Sequence, residues 1–440
     1  MAQTIEQPPV GIRGRWRQLS LLGGAMLVDS TEASLVNSLF PVIRQALGLS
    51  LGALGILTAA GKIVGVVTGP LWVWAARRWS RKGVLVLATG LWGVWGIAAG
   101  FSQNFAQLLV FYTILAAGYA AAHPIITEVI GDLFDDSARG RAVGLLYGVI
   151  ALIGSVLGPV KGQLANVDDG WRWGLWGVGA FNVLLGLAIW VWFRDPGTGA
   201  AERQLAGLDP AARAGELTWG RALALLRIPS FLILLGSRML SGHLLVGTFG
   251  VVYLVDVFGF STATASVVLL PFGVGYFLGN IAGGFAGDWA VRRSPRYGLV
   301  AVLQAAQFGF AIAAVLGTQI SYGSIVPFAA FFGLMGAMQG VNPGVNRPMV
   351  MAITPPELRG AAFAIYISIF EAIAWAAFSL GAGFLGDLIG LRQVFLWVLV
   401  VLMVANGLFL TLLYRPYARD VARVQADLDA RREDWIRGVH

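Results

Sequence analysis

The chain has 440 residues, of which 57% are hydrophobic and only 12% are charged, with a mean hydropathy of +0.73. A soluble globule of that composition has too little polar surface to cover itself, so the soluble classes are excluded and a polytopic membrane protein is indicated. A formal charge of +8 would suit a nucleic-acid binder, but the basic residues alternate with apolar runs rather than clustering, which argues against nucleic acid.

Each apolar run reaches the roughly 20 residues needed to cross a hydrocarbon core of about 30 Å. Twelve are read, near 17–41, 51–76, 84–101, 105–131, 142–166, 172–193, 228–253, 262–290, 297–318, 324–350, 361–386 and 393–414. The expected fold class is an all-α membrane protein of 12 transmembrane helices in two six-helix bundles. Residues 1–16 form an N-terminal tail, 17–193 the first bundle, 194–227 a central loop, 228–414 the second bundle and 415–440 a C-terminal tail. The central loop opens Arg194-Asp195-Pro196-Gly197 and contains a candidate interfacial helix at 218–226. The C-terminal tail mixes Arg with Asp and Glu at helical spacing and reads as a solvated helix.

Placing both termini in the cytoplasm puts Arg13, Arg15, Arg17, Arg77, Arg78, Arg81, Lys82, Arg139, Arg141, Arg292, Arg293, Arg296 and Arg359 inside. Only Arg44, Arg172 and Arg392 remain outside, as the positive-inside rule requires of a protein in the plasma (inner) membrane. There is no cysteine, which excludes disulfides and thiolate metal sites. The basic N-terminus precedes a span containing Asp29 and Glu32, an arrangement expected of a retained first helix rather than a cleaved signal.

That first span holds the strongest functional signal. Asp29 and Glu32 lie three residues apart on one helical face, and a helix in lipid can hydrate neither. Keeping two ionisable groups there points to ion or solute handling; the alternative is that both reach water at the outer end.

An internal repeat supports the two halves: Asp136-Ser-Ala-Arg139-Gly140-Arg-Ala142 after the fourth span matches Pro356-Glu-Leu-Arg359-Gly360-Ala-Ala362 before the eleventh. Paired halves place a substrate site between them near the bilayer midplane. Four stretches then carry a family resemblance. They are Glu32-Ala-Ser-Leu-Val-Asn-Ser-Leu-Phe-Pro41 with Ile43 and Leu47-Gly-Leu-Ser50; Gly154-Ser-Val-Leu-Gly158-Pro159-Val-Lys161-Gly162; Gly284-Phe-Ala-Gly-Asp288 with Arg292 and Arg293; and Gly170-Trp-Arg-Trp173. The chain resembles the major facilitator superfamily over nearly its whole length. Its first and fifth spans are similar to those of proton-coupled drug exporters, and its sixth to spinster-like lipid transporters.

The resemblance implies several roles. Glu32 takes the place of the exporters' usual Asp, with Gln163 standing for the last Gly of their fifth-span motif. Gly158 and Pro159 would bend the fifth span beside the path, and Asp288 with Arg292 would latch the halves on the cytoplasmic side. In the first-half copy of that latch the Gly falls on Val73 and the Asp on Arg77; in the fourth span Tyr112 and Tyr119 stand where spinster-like carriers have Arg and Glu. The resemblance also implies a monomer.

Other polar residues lie within the spans. Lys62 and Glu32 fall at matching depths, so they can pair, either statically or as a link broken when Glu32 takes a proton. Arg238 and Glu371 lie at matching depths in the seventh and eleventh spans and are a second candidate pair, structural or gating. Lys161 either binds an anionic group or snorkels outward. His123 and His243 are packing residues or proton handlers, and make no metal site. Glu128 and Asp132 lie one turn apart near the cytoplasmic end, placed to pair with Arg77, Arg78 or Arg139 as a gate. Gln339, Asn342 and Asn346 share a stripe that hydrogen-bonds a solute or glues helices, and Trp375 shares the face of Glu371.

No phosphate loop, His-Glu-x-x-His motif or nucleophile elbow is present, so an enzyme is not indicated; an intramembrane hydrolase using Asp29 or Glu32 with His123 is the different-class alternative. The expected function is a cofactor-free secondary transporter in the lipid bilayer. It would export an amphipathic or drug-like small molecule as a proton antiporter, with Glu32 assisted by Asp29 carrying the proton and Lys62 responding. The alternative is proton-coupled uptake of an organic anion in the positive field of Lys62, Lys161 and Arg238.

Overall fold

A computed structural model describes residues 14–134, 136–197, 223–355 and 358–436. Among the described residues twelve helices are long and apolar enough to cross a membrane. The first six are Arg15–Leu47, Leu51–Ala76, Arg81–Gly100, Phe105–Ile130, Val149–Asn166 and Gly170–Trp192. The second six are Pro229–Phe258, Thr262–Arg293, Gly298–Gln319, Ile325–Ala352, Ala361–Ile389 and Leu391–Tyr414. The helix of the fifth span begins earlier, at Asp136. This is an integral membrane protein, and each span satisfies its backbone internally, as hydrocarbon demands.

Short turns join the spans on the face opposite the arginine-rich one. Gly48 ends the first span at φ 62° and returns its N–H to the Arg44 carbonyl, a left-handed cap that side chains rarely tolerate. Asn104 and Ser261 open the next descending helices by accepting from the backbone N–H of Gln107 and Thr264.

The seventh span is not the continuous helix expected at 228–253. It breaks after Met239 and resumes at Leu245 through a single 3-10 turn at Gly242–Leu244. A methyl group on Gly242 would lie 2.1 Å from the Val398 carbonyl of the twelfth span, so only glycine permits this packing. The eleventh span carries a π-helical stretch from Ala364 to Glu371, which turns Glu371 relative to a regular helix. The helix expected at 218–226 lies mostly outside the described residues, as do Pro356 and Glu357 of the repeat and the side chains of its first copy; Leu225–Arg227 form one 3-10 turn.

The packing of the two halves differs at the two faces. Toward the short-turn face one apolar core runs across both halves, joining Leu39, Leu54 and Leu175 to Val252, Phe328 and Phe395. Toward the basic face the core divides, with Leu22, Ile126 and Phe134 in the first half and Phe231, Met349 and Leu413 in the second. The polar bridges follow the same division. Arg44 donates to Asp256 at 2.8 and 2.7 Å, linking the first and seventh spans. Asp387 of the eleventh span accepts from the N–H groups of Leu51 and Gly52 at 2.9 and 2.8 Å, capping the second helix from the other half. The molecule is closed at the short-turn face and parts toward the basic face.

The basic-face contacts described stay within one half. Arg81 meets Asp132 and Asp195 in short hydrogen bonds and Glu128 at 3.6 Å. Glu128 and Asp132 share Arg81, a partner the sequence did not indicate; the side chains of Arg77 and Arg139 lie outside the described set. Chain separation hid this, because Asp195 follows the sixth span. Asp288 and Arg292 are exposed and make no ion pair among the described residues, so the expected latch is unmade in this conformation. The C-terminal helix Pro416–Ile436 is not simply solvated: Asp420 is buried and accepts from Ser230 N–H at 3.0 Å and its hydroxyl at 2.6 Å, capping the seventh span.

Two outcomes test this division. Arg81→Ala removes the cation shared by Asp132, Asp195 and Glu128 and is expected to destabilise the first half by about 1–3 kcal/mol, read as a fall in melting temperature and in monodisperse yield. Asp387→Ala removes about 1 kcal/mol of capping, which shifts the balance toward opening of the short-turn face about fivefold. A single Ser38→Cys reporter, in a chain without cysteine, then reacts faster with an impermeant maleimide; an unchanged rate would show that the cap does not set the equilibrium.

Candidate substrate cavity and carboxylate pocket

A cavity of about 510 Å³ lies between the halves. The first span turns Ser30, Ser34, Asn37 and Ser38 into it, residues spaced by one or two helical turns and so sharing a face. This stripe went unread in the sequence, although its period is visible there. Phe272, Tyr276 and Trp375 add aromatic rings to a wall otherwise of small, aliphatic and polar residues.

Lys161 enters the cavity from the fifth span and is 8% exposed. Its ammonium donates to the Ser34 hydroxyl at 2.5 Å, and it is ion-paired to no carboxylate among the described residues. Gly158 lies one turn before it and faces the cavity, where an added methyl would meet nothing within 4 Å. Pro159 sits inside the same helix.

Arg238 and Glu371 also line the cavity, and a short hydrogen bond joins them, as their depths predicted. The break in the seventh span places Arg238 at the end of its first segment and His243 at the start of the second. His243 is 3% exposed and edge-on to Phe310. Trp375 donates from its indole to the Thr248 hydroxyl at 2.9 Å. Gln339 and Asn342 reach the cavity, while Asn346 is buried away from it. Asn342 is fixed by Gln307, whose amide donates to it at 2.6 Å, so here the helix-joining role is realised.

Four buried polar atoms at this wall lack partners: Asn37 Oδ1, His243 Nδ1, Gln339 Oε1 and Arg238 Nε. Buried polar groups are normally satisfied, so four together at a cavity wall are groups prepared for a ligand or water.

Lys62 does not pair with Glu32. Its ammonium lies 3.8 Å from the centre of the Trp375 ring, across the boundary between halves, and it sits in the field of Glu371. Matching depth placed it at the right level but said nothing of the direction it faces. His123 is exposed on the fourth span and lies in the field of Lys62.

Asp29 and Glu32 occupy the back of the first span, away from the cavity. Glu32 is 0% exposed, and Asn182 of the sixth span donates its one amide nitrogen to both acids, at 3.1 Å each. The third span approaches with Gly96, where a methyl would lie 1.8 Å from Glu32 Oε1. Tyr112 and Tyr119 of the fourth span face Glu32. The acids are thus enclosed within the first half, separate from the path between the halves. Among the described residues no group of three or more His, Cys, Asp or Glu is arranged to hold a metal ion.

Comparison with known proteins agrees with this architecture. A profile of the Major Facilitator Superfamily matches residues 22–326. "Protein spinster" of Drosophila melanogaster is 24% identical over 164 residues, 37% of this chain and 27% of that protein. "Citrate exporter 1" of Aspergillus niger is 28% identical over 178 residues, 40% of this chain and 34% of that one. The "4-hydroxybenzoate transporter PcaK" of Pseudomonas putida is 27% identical over 233 residues, 49% and 50% of the two chains. The alignments thus span half or less of these relatives' lengths. A crystal structure of "A Bacterial Homolog to Human Lysosomal Transporter, Spinster, in Inward-facing And Occupied Conformation" superposes with a TM-score of 0.71 at 18% identity, covering 94% of this chain and 98% of that one. Twelve spans among the described residues, two halves parted at one face, a cavity between them and this profile match lead to one assignment: the chain belongs to the Major Facilitator Superfamily.

Proposed function

We propose that this protein takes up an amphipathic organic anion together with protons, by alternating access. The observation that carries the reading is Lys161: a buried ammonium at the cavity wall whose one polar partner among the described residues is the neutral Ser34 hydroxyl. Arg238 and Glu371 offset one another, so Lys161 leaves the cavity with uncompensated positive charge. Burying such a charge costs several kcal/mol unless an anion completes it. A carboxylate there gains a charge-assisted hydrogen bond, while Phe272, Tyr276 and Trp375 receive its apolar part. The names of the citrate and 4-hydroxybenzoate relatives support an organic acid.

Asp29 and Glu32 supply the proton site in this reading. A buried acid pair sharing one amide donor calls for added positive charge, and protonation provides it. Export of a drug-like cation is the second reading, favoured by the aromatic rings in the wall; it must place a cation beside Lys161 and Arg238, now that Glu32 is turned from the cavity. The basic face is assigned to the cytoplasm, with the carrier acting as a monomer in the plasma (inner) membrane.

Proteoliposomes with an imposed pH gradient and an interior pH probe test the proposal, using labelled aromatic and aliphatic carboxylates against lipophilic cations. Carboxylate entry accompanied by protons is expected in the wild type. Lys161→Met should lower carboxylate flux by about tenfold or more without lowering the melting temperature. Wild-type transport confined to lipophilic cations would overturn the anion reading. Glu32→Gln should keep exchange of labelled for unlabelled anion and lose accumulation driven by the pH gradient; unchanged accumulation would remove Glu32 from the coupling step.

A further inference from the structure

The cavity wall carries more charge than Lys161 alone. Among the described residues that line it, Glu371 is the one acid, and Lys161 and Arg238 are its lysine and arginine. The break that ends the first segment of the seventh span at Arg238 and the π-helical stretch that ends at Glu371 bring these two together at the wall. Their side chains are 14% and 22% exposed, more open than Asp29 and Glu32.

The pair does not use up the guanidinium. Arg238 meets Glu371 through Nη2 alone, on one carboxylate oxygen, and a guanidinium has five N–H donors. Its Nε has no partner among the described residues. The Tyr366 ring centre lies 5.7 Å from Arg238 Cζ, a contact that holds the cation without taking a hydrogen bond from it. Glu371 is faced by Arg238 of the seventh span, Lys62 of the second across the boundary between halves, Tyr276 of the eighth and Tyr366 of its own span. Arg347 of the tenth span acts on both tyrosines, and His243 lies in the field of Arg238.

Charge balance then decides what the wall accepts. With Glu371 ionised, Lys161, Arg238 and Glu371 sum to one positive charge, which a monocarboxylate neutralises. With a proton on Glu371 the sum is two, and a second carboxylate is called for. We propose that Arg238 is a second carboxylate subsite and that Glu371 takes a proton from solvent when the subsite fills, so that the preferred substrate is a dicarboxylate. The incoming carboxylate competes with Glu371 for the same guanidinium, and protonation of Glu371 removes both the competitor and its repulsion. One carboxylate then rests on Lys161 of the first half and the other on Arg238 of the second, so a bound dianion ties the halves together. The proposal rests on the anion-transport reading and adds a proton site to that of Asp29 and Glu32.

The test is ligand-induced melting of the purified protein between about pH 6.5 and 8, where ordinary carboxylates stay ionised. Isophthalate is compared with benzoate, and glutarate with butyrate. A ligand that binds only the folded state raises the melting temperature by mass action, so the shifts report affinity. Each dicarboxylate is expected to bind about tenfold more tightly than its monocarboxylate partner. Its affinity should rise as pH falls, because protonated Glu371 leaves the wall more positive. Glu371→Gln should keep the dicarboxylate preference and lose its pH dependence. Arg238→Met should lose the preference and keep monocarboxylate binding; because it leaves Glu371 without its cation, Arg238→Met combined with Glu371→Gln repeats the measurement with both charges removed. Equal wild-type affinity for the two classes overturns the subsite and leaves the anion reading intact, as does a preference kept in the double variant. A pH dependence unchanged in Glu371→Gln overturns the proton assignment. Binding of lipophilic cations and of neither carboxylate class overturns the anion reading and the subsite with it.

Discussion

An ionised side chain inside a hydrocarbon slab needs a partner, a ligand or water, and this protein is arranged around how each of its charges meets that need. Some are answered by protein groups. Arg81 is held by Asp132, Asp195 and Glu128, Arg238 by Glu371, and Arg44 by Asp256. Others are not. Among the described residues Lys161 has one hydroxyl, Lys62 an aromatic face, and Asp29 and Glu32 a shared amide with Tyr119 beside Glu32. The answered charges hold helices together within a half or across the closed face. Of the unanswered ones, Lys161 lines the cavity, while Asp29 and Glu32 lie behind it within the first half.

Apolar packing decides which face of the molecule is open. A shared core and two polar bridges seal one face, while separate cores let the halves diverge at the other. The seal is made of contacts that can be exchanged. The glycines of the second and eleventh spans let backbones meet so closely that a methyl on Gly55 would lie 2.4 Å from the Ser379 carbonyl. Small residues favour such close, reversible helix contact in a bilayer, where apolar side chains gain little by leaving lipid.

The twelve spans were legible because hydropathy is a local property and the bilayer imposes one length on every helix. Depth was legible for the same reason: counting residues from an interface put Arg238 level with Glu371, and they meet. Counting does not reveal azimuth. Lys62 lies level with Glu32 yet points to Trp375, and Glu32 points to Asn182, a residue that nothing in the sixth span's sequence singled out. Arg81 and Asp195 were hidden by their separation along the chain, and the break in the seventh span by its apolar surroundings. The serine and asparagine stripe of the first span was readable from its period.

The interruption of the seventh span has a mechanical consequence. Arg238 ends one rigid segment, capped at its far end by the C-terminal helix through Asp420, while His243 opens another that is bonded by Asp256 to the first span of the other half. One helix thus belongs to two bodies. Gly242, pressed against Val398, joins them, so the cavity wall is built from both segments and any relative shift of the two would reshape it.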